Sequence, residues 1–155
     1  MRVVFLLTLL LLLKLPALAQ NAGLRPKPVS LDNTLVLTLP DEGQALWQRA
    51  GQLLAQRGYA IRYASPELLT LSTEVIAARS GPSLGITLTV VGHELQLRGY
   101  IDYTNIHGTQ LSQSNSLMLI DYEEGNGRRA RQWQELEDVA RLLGGTRQYT
   151  RVGID

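Results

Sequence analysis

The chain has 155 residues, 45% of them apolar, which is enough for one ordinary domain with its own hydrophobic core. It contains no cysteine, which excludes disulfides, a thiolate nucleophile, a cysteine-based zinc site and a lipid attached through an N-terminal cysteine. The formal charge is only +1, so the chain lacks the basic field that nucleic-acid-binding proteins exchange for phosphate counterions. We therefore expect no nucleic-acid partner.

Residues 1–19 have the organisation of a secretory signal peptide. Arg2 supplies a short basic region, Val3 to Leu13 is an apolar run, and residues 17–19 read Ala-Leu-Ala, an Ala-x-Ala cleavage pattern. A retained anchor is the alternative, but a membrane span needs about 20 apolar residues, and Lys14 and Pro16 interrupt the run. We expect cleavage and export to the periplasm or the medium, with no membrane span in the mature chain. Its 13 basic and 14 acidic side chains give a formal charge of −1.

The first predicted elements follow a short leader. Residues 20–33 carry two prolines, a glycine and no apolar periodicity, which predicts an extended leader before a single domain over residues 34–145. Apolar residues alternate over 35–39, the pattern of a strand with one buried face. Residues 41–57 are predicted to be a helix, since Asp41 and Gln44 stand at capping-box spacing and apolar residues recur at helical spacing.

Residues 59–122 alternate in short β-like runs separated by turn residues, which predicts five strands. The first contains Ile61 and Tyr63, and the others centre on residues 69–75, 84–90, 95–101 and 117–120. Gly92 and His93 between two of these runs predict a two-residue hairpin turn of type I′ or II′.

A second helix is predicted over residues 127–143, with Trp133, Leu136, Ala140 and Leu143 on one face and glycines at its end. Glu137 and Arg141 stand at the spacing of a favourable ion pair. Residues 146–155 are predicted to form a polar, frayed tail. The order strand, helix, five strands, helix predicts a two-layer α+β domain, with an antiparallel sheet of about six strands and both helices on one face.

Residues 81–85 contain Gly-x-Ser-x-Gly, the spacing that presents a nucleophilic serine in many hydrolases, and Asp102 and His107 follow Ser83 in the chain. That motif needs a strand before the serine and a helix after it. Here residues 84–91 alternate as a strand, and Pro82 beside Ser83 is typical of a turn. We expect no catalytic residue. A small secreted hydrolase that uses Ser83 or a pair of carboxylates is the alternative.

The two histidines, His93 and His107, raise the question of a metal site. The carboxylates of Glu94, Asp102 and Asp121 are potential oxygen ligands for the same ion. Zinc takes at least three protein ligands on rigid elements, whereas the histidines fall in a predicted turn and a predicted loop. We interpret them as solvated side chains and expect neither a metal nor a cofactor.

The sheet face opposite the helices is the surface left for function. Alternation predicts that it carries Arg62, Thr70, Ser72, Glu74, Thr87, Thr89, Gln96, Arg98, Tyr100 and Asp102. The candidate binding residues among them are Arg62, Gln96, Arg98, Tyr100 and Asp102. Tyrosine and arginine carry much of the energy of protein interfaces, so an envelope protein or a glycan is the expected partner. A simply solvated face is the alternative.

The segment RGYAIRYASPELLTLSTE (Arg57 to Glu74), together with the helix before it, resembles the helix-to-hairpin unit of small bacterial envelope proteins. The C-subunit lipoprotein of the β-barrel assembly machinery is such a protein. The resemblance covers residues 41–74 and implies a non-enzymatic envelope role. The chain departs from that family in lacking the lipid-anchor cysteine.

These observations give one leading hypothesis, an exported binding or accessory domain of the bacterial envelope that uses the open sheet face or an exposed strand edge. The hydrolase is the competing hypothesis. A third hypothesis is an envelope-structural protein that self-associates through its sheet edges. The oligomeric state stays open.

Overall fold

The structure, a computed structural model, describes residues 23–76, 83–102 and 117–153. The predicted signal peptide, residues 1–19, lies outside these ranges. The elements in chain order are β1 (Thr34–Thr38), α1 (Gly43–Gln56), β2 (Ile61–Ser65), β3 (Thr70–Thr73), β4 (Gly85–Val91), β5 (Glu94–Asp102), β6 (Leu117–Leu119), α2 (Arg128–Leu143) and β7 (Thr146–Thr150).

The strands form one antiparallel sheet in the order β2-β3-β4-β5-β1-β7. Strand β5 is the longest, and one of its edges pairs with β4. Its other edge pairs first with β1, from Glu94 to Leu97, and then with β6, from Tyr100 to Asp102. Strands β1 and β6 therefore lie one after the other along the same edge of β5, with β6 at the C-terminal end of β5.

The core lies between the sheet and the two helices, which pack on one face of the sheet. Helix α1 buries Leu46, Ala50 and Leu54, and α2 buries Trp133, Leu136, Val139, Ala140 and Leu143. The facing residues of the central strands are Leu35, Leu37, Ile86, Leu88, Val90, Leu95 and Leu97. The predicted α+β class, with both helices on one face, is confirmed. We call the opposite face of the sheet the outer face.

The C-terminal residues correct one expectation. We predicted a polar tail over residues 146–155, but Thr146–Thr150 form β7, which pairs along the whole length of β1. Tyr149 is buried, with its ring centroid 6.3 Å from that of Trp133. Tyr149 is the only large apolar side chain of the strand, so alternation alone did not indicate it. The described part of the chain therefore has seven strands, one more than predicted.

The leader is also more structured than its composition predicted. Arg25 and Tyr149 exchange backbone hydrogen bonds of 2.9 and 2.8 Å, so the leader lies along the outer edge of β7. Asp32 is fully buried, and its carboxylate accepts hydrogen bonds from the Arg25 guanidinium and from the backbone N–H of Val29. From residue 23 onward, the predicted leader belongs to the domain.

Two local predictions in the helices are wrong. The capping box of Asp41 and Gln44 does not form, since the helix begins after Glu42 with no side-chain cap. The Asp41 carboxylate instead accepts a hydrogen bond of 2.6 Å from Arg49.

The expected pair of Glu137 with Arg141 is replaced by two others. Glu137 pairs with Arg147 on β7, and Arg141 pairs with Asp138, both at 2.9 Å. The tertiary partner of Glu137 lies on β7, the strand that alternation did not reveal.

Candidate functional site

Ser83 is exposed and precedes a strand. Strand β4 begins two residues later at Gly85, and the Ser83 carbonyl accepts a hydrogen bond of 2.8 Å from the Gln132 side chain. The prediction that a strand and not a helix follows Ser83 is confirmed. This backbone does not provide the helix N-terminus that a nucleophile elbow requires. His107, the histidine of the alternative, lies outside the described residues.

His93 lies in the two-residue turn between β4 and β5, where Gly92 has a φ of 59°, as the predicted hairpin requires. The His93 ring is exposed, with Nε2 3.1 Å from the Glu42 carboxylate and Nδ1 3.3 Å from the Asp41 carbonyl oxygen. Across the ranges that the structure describes, no three histidine or acidic side chains are grouped to hold a metal ion.

The outer face carries four of the five candidate binding residues on β5. Gln96, Arg98, Tyr100 and Asp102 alternate along this strand with the buried residues of the helix side. The fifth, Arg62, comes from β2, at a point where the register between β2 and β3 shifts. The structure brings Arg62 and Tyr100 together, whereas Gln96 lies further along β5.

Tyr100 is on the outer face, as predicted, but its side chain is only 4% exposed. The ring packs against Gly85 on β4, and the hydroxyl donates a hydrogen bond to the carbonyl oxygen of Thr73. Burial raises the pKa of Tyr100, and the neighbouring Arg62 guanidinium opposes this shift through a hydrogen bond and its charge. Tyr100 therefore forms the floor of the outer face and does not project from it.

Arg98 is also engaged within the sheet. Its Nε donates a hydrogen bond of 3.0 Å to Oγ1 of Thr34, a residue of the neighbouring strand β1. Thr34 is fully buried and donates in turn to the Asn33 side chain. Gln96 and Asp102 are half-buried, and Gln96 faces the buried Val36. These contacts indicate that Arg98 joins β5 to β1.

A groove of about 420 Å³ crosses the outer face at the β6 end of the sheet. Among the described residues it is lined by Arg62, Ser72, Thr87, Tyr100, Leu117, Met118 and Leu119. We call this the outer-face groove. Its volume is within the range of small-ligand sites, about 300–1,000 Å³.

The two ends of the outer-face groove differ in chemistry. Arg62 is exposed at the β2 end, and none of the ion pairs between described residues includes it. Leu117 at the β6 end is 47% exposed, beside the half-buried Met118 and Leu119. The exposed Glu74 lies close enough to Tyr100 for its charge to raise the pKa of that phenol. The groove therefore combines a cation outside any described ion pair with an exposed apolar wall.

The apolar wall of the groove was missed from the sequence. Residues 117–120 were predicted as a strand, but pairing of β6 with the end of β5 joins residues that are distant in the chain. Sequence did offer one signal, because the apolar run 117–120 directly follows a long polar segment. Ser72 and Thr87, in contrast, were predicted on the outer face and lie there, opposite one another on β3 and β4.

Compared with known proteins, the chain matches no protein-family model and no curated protein at a significant level. Neither described helix is long and apolar enough to cross a membrane.

Proposed function

We propose that this chain is an exported, non-catalytic binding or accessory domain of the bacterial cell envelope, and that it binds its ligand in the outer-face groove. One observation carries the proposal: the groove places the cation of Arg62 and the exposed Leu117 around one concave surface. Concave sites with a mainly apolar lining and a few polar groups are where small ligands bind.

The contacts of the other outer-face residues favour the groove over the rest of this face. Arg98 already donates to Thr34, and the Tyr100 hydroxyl already donates to Thr73. Polar groups with internal partners gain little from a ligand. Arg62 also shares a hydrogen bond with Tyr100, but it is exposed whereas Arg98 is half-buried, so a ligand in the groove would pair the Arg62 charge and remove the apolar surface of β6 from water.

The lining of the groove supports a binding role over catalysis. Its described residues include no histidine and no carboxylate, the usual general bases. The one phenol, Tyr100, is held in its neutral form by burial and uses its proton for the Thr73 carbonyl. The resemblance of residues 41–74 to the helix-to-hairpin unit of an envelope protein agrees with this role.

Export is tested separately from binding. Residues 1–22 fused to a reporter enzyme that is active only outside the cytoplasm are expected to give activity and a processed fusion. A reporter that stays inactive, or a fusion that stays unprocessed in the membrane, would contradict export with cleavage.

Binding is tested by site-specific photo-cross-linking in the cell that makes the protein. A photoreactive phenylalanine analogue replaces Leu117 at the groove, or Leu142 on α2 as the matched exposed control. We expect a discrete adduct, identified by mass spectrometry, from position 117 only. Equal adducts from both positions, or none from position 117, would contradict a ligand site in the groove.

A further inference from the structure

We propose that the ligand of the outer-face groove is a single-chain amphiphile with an anionic head, its carboxylate or phosphate at Arg62 and its acyl chain over β6. This inference rests on the proposed function of the same groove and adds the chemical class of the ligand.

The order of the strands sets the direction of the amphiphile. The groove runs across the sheet, from Arg62 on β2, over Ser72 on β3 and Thr87 on β4, past Tyr100 on β5, to Leu117 on β6. Four spacings between neighbouring strands give a length of about 19 Å. The charge lies at one end and the apolar wall at the other, so an elongated ligand with one polar end matches the groove in a single orientation.

The backbone beneath the groove argues against an extended peptide. Ser72, Thr87 and Arg98 are in register across β3, β4 and β5, so their backbone groups face other strands. A peptide bound by strand addition lies along a free sheet edge, where such groups are unpaired. A peptide laid across interior strands would leave its own N–H and C=O groups without partners, which is unfavourable. An acyl chain has no such groups to satisfy.

The head of the ligand is placed by charge. Arg62 has five N–H donors, which suit a carboxylate or a phosphate. The neighbouring Tyr100 hydroxyl oxygen accepts a hydrogen bond from the same guanidinium. The Ser72 hydroxyl, on the strand next to Arg62, adds a donor at the same end. Glu74 is the acidic group near this end, and its charge opposes an anionic head. Removing that charge is therefore expected to strengthen binding.

The test is calorimetric titration of the mature protein, from Gln20 onward, with dodecanoate below its critical micelle concentration. Dodecyl phosphate and dodecyltrimethylammonium are titrated in parallel. The groove variants are Arg62→Gln, Arg62→Lys, Glu74→Gln and Leu117→Asp. Arg129→Gln and Leu142→Asp are the matched controls, because both residues are exposed and lie on α2. Thermal unfolding is measured for each variant to check that it is folded.

We expect one dodecanoate per chain. Arg62→Gln is expected to weaken binding at least about tenfold, the loss of one charge-assisted hydrogen bond. Arg62→Lys retains most of the affinity, and Glu74→Gln tightens binding about two- to threefold, as for a partly screened charge. Leu117→Asp removes binding, whereas both controls bind as the unsubstituted protein does. Dodecyl phosphate binding more tightly than dodecanoate would assign a phosphate head and not a carboxylate.

The ligand class is overturned if dodecanoate and dodecyl phosphate both fail to bind. It is also overturned if dodecyltrimethylammonium binds equally well, or if Arg62→Gln and Arg129→Gln have the same affinity. The cross-linking experiment separates this result from failure of the proposed function. An adduct at position 117 but not at 142 would then keep the groove as a binding site and show that its ligand is of another class, such as a protein or glycan.

Discussion

The Tyr100 ring packs against Gly85 on the neighbouring strand, where an added Cβ atom would lie 2.7 Å from Cε2 of the tyrosine. No side chain fits there unless the ring moves. Gly85→Ala is therefore expected to displace Tyr100 from the floor of the groove. The expected cost is about 1–3 kcal/mol in the free energy of unfolding, as for an overpacked core, measured by chemical denaturation.

Gly23→Ala is the matched control for that substitution, because a Cβ at Gly23 meets only Thr150 Oγ1 at an ordinary 3.4 Å. It is expected to leave the free energy of unfolding nearly unchanged. If Gly85→Ala proves as mild as Gly23→Ala, the tyrosine is not packed as described.

Glu135 on α2 contacts two residues that follow α1 through one carboxylate oxygen. It accepts hydrogen bonds from Arg57 at 2.5 Å and from the Tyr59 hydroxyl at 3.2 Å. Glu135→Ala leaves the half-buried Arg57 without this partner, and we expect a loss of about 1–2 kcal/mol in unfolding free energy. Gln134→Ala, its exposed neighbour, is the control. Equal stabilities of the two variants would show that the cluster contributes nothing.

Tyr149 predicts how stability changes at alkaline pH. Burial, followed by a hydrogen bond to Glu137, raises the pKa of Tyr149 from 10.0 to about 12. The folded state thus favours the neutral phenol, so its contribution is complete below pH 10 and is lost as the pH rises to about 12. Burial also raises the pKa of Tyr59.

Tyr149→Phe is therefore expected to lose less stability than the unsubstituted protein between pH 10 and 12, measured as thermal midpoints across this range. Its tyrosinate absorbance is expected to lack one late-titrating phenol. Parallel pH curves for the two proteins would mean that Tyr149 titrates in the folded state as it does in the unfolded chain.

Strand β7 is predicted to be essential to the fold, although its residues read as a polar tail. A chain ending at Gly145 leaves the edge of β1 unpaired and removes Tyr149 from its packing on Trp133. We expect it to lose cooperative unfolding, followed by near-ultraviolet circular dichroism. A chain ending at Gly153 keeps β7 and serves as the control. Cooperative unfolding of the shorter chain would contradict a structural role for the strand.

Alternation predicted much of this fold because most strands bury one face against the helices. The period of two is clearest in β4 and β5, whose buried residues include Leu88 and Leu97. Alternation did not reveal β7, because Tyr149 is the only buried side chain of that strand. Alternation also does not indicate that β1 lies between β5 and β7 in the sheet. Strand order depends on long-range pairing that local patterns do not record.

The candidate site was predicted in part. Tyr100 was placed on the correct face because that depends only on strand period. Arg62 also lines this face, but the register shift between β2 and β3 means that strand period alone does not fix its side. The burial of Tyr100 was not predictable, because it depends on the missing side chain of Gly85 across the strand pair. The position of Leu117 in the groove wall was not predictable either. It depends on the pairing of β6 with β5, and local periodicity does not reveal pairing between strands that are separated in the sequence.

Native mass spectrometry of the protein purified from the envelope of its own cell shows whether the outer-face groove holds a ligand. We expect an added mass on the unsubstituted protein that Leu142→Asp retains and Leu117→Asp loses. No added mass on the unsubstituted protein, or the same added mass on both variants, would contradict this expectation.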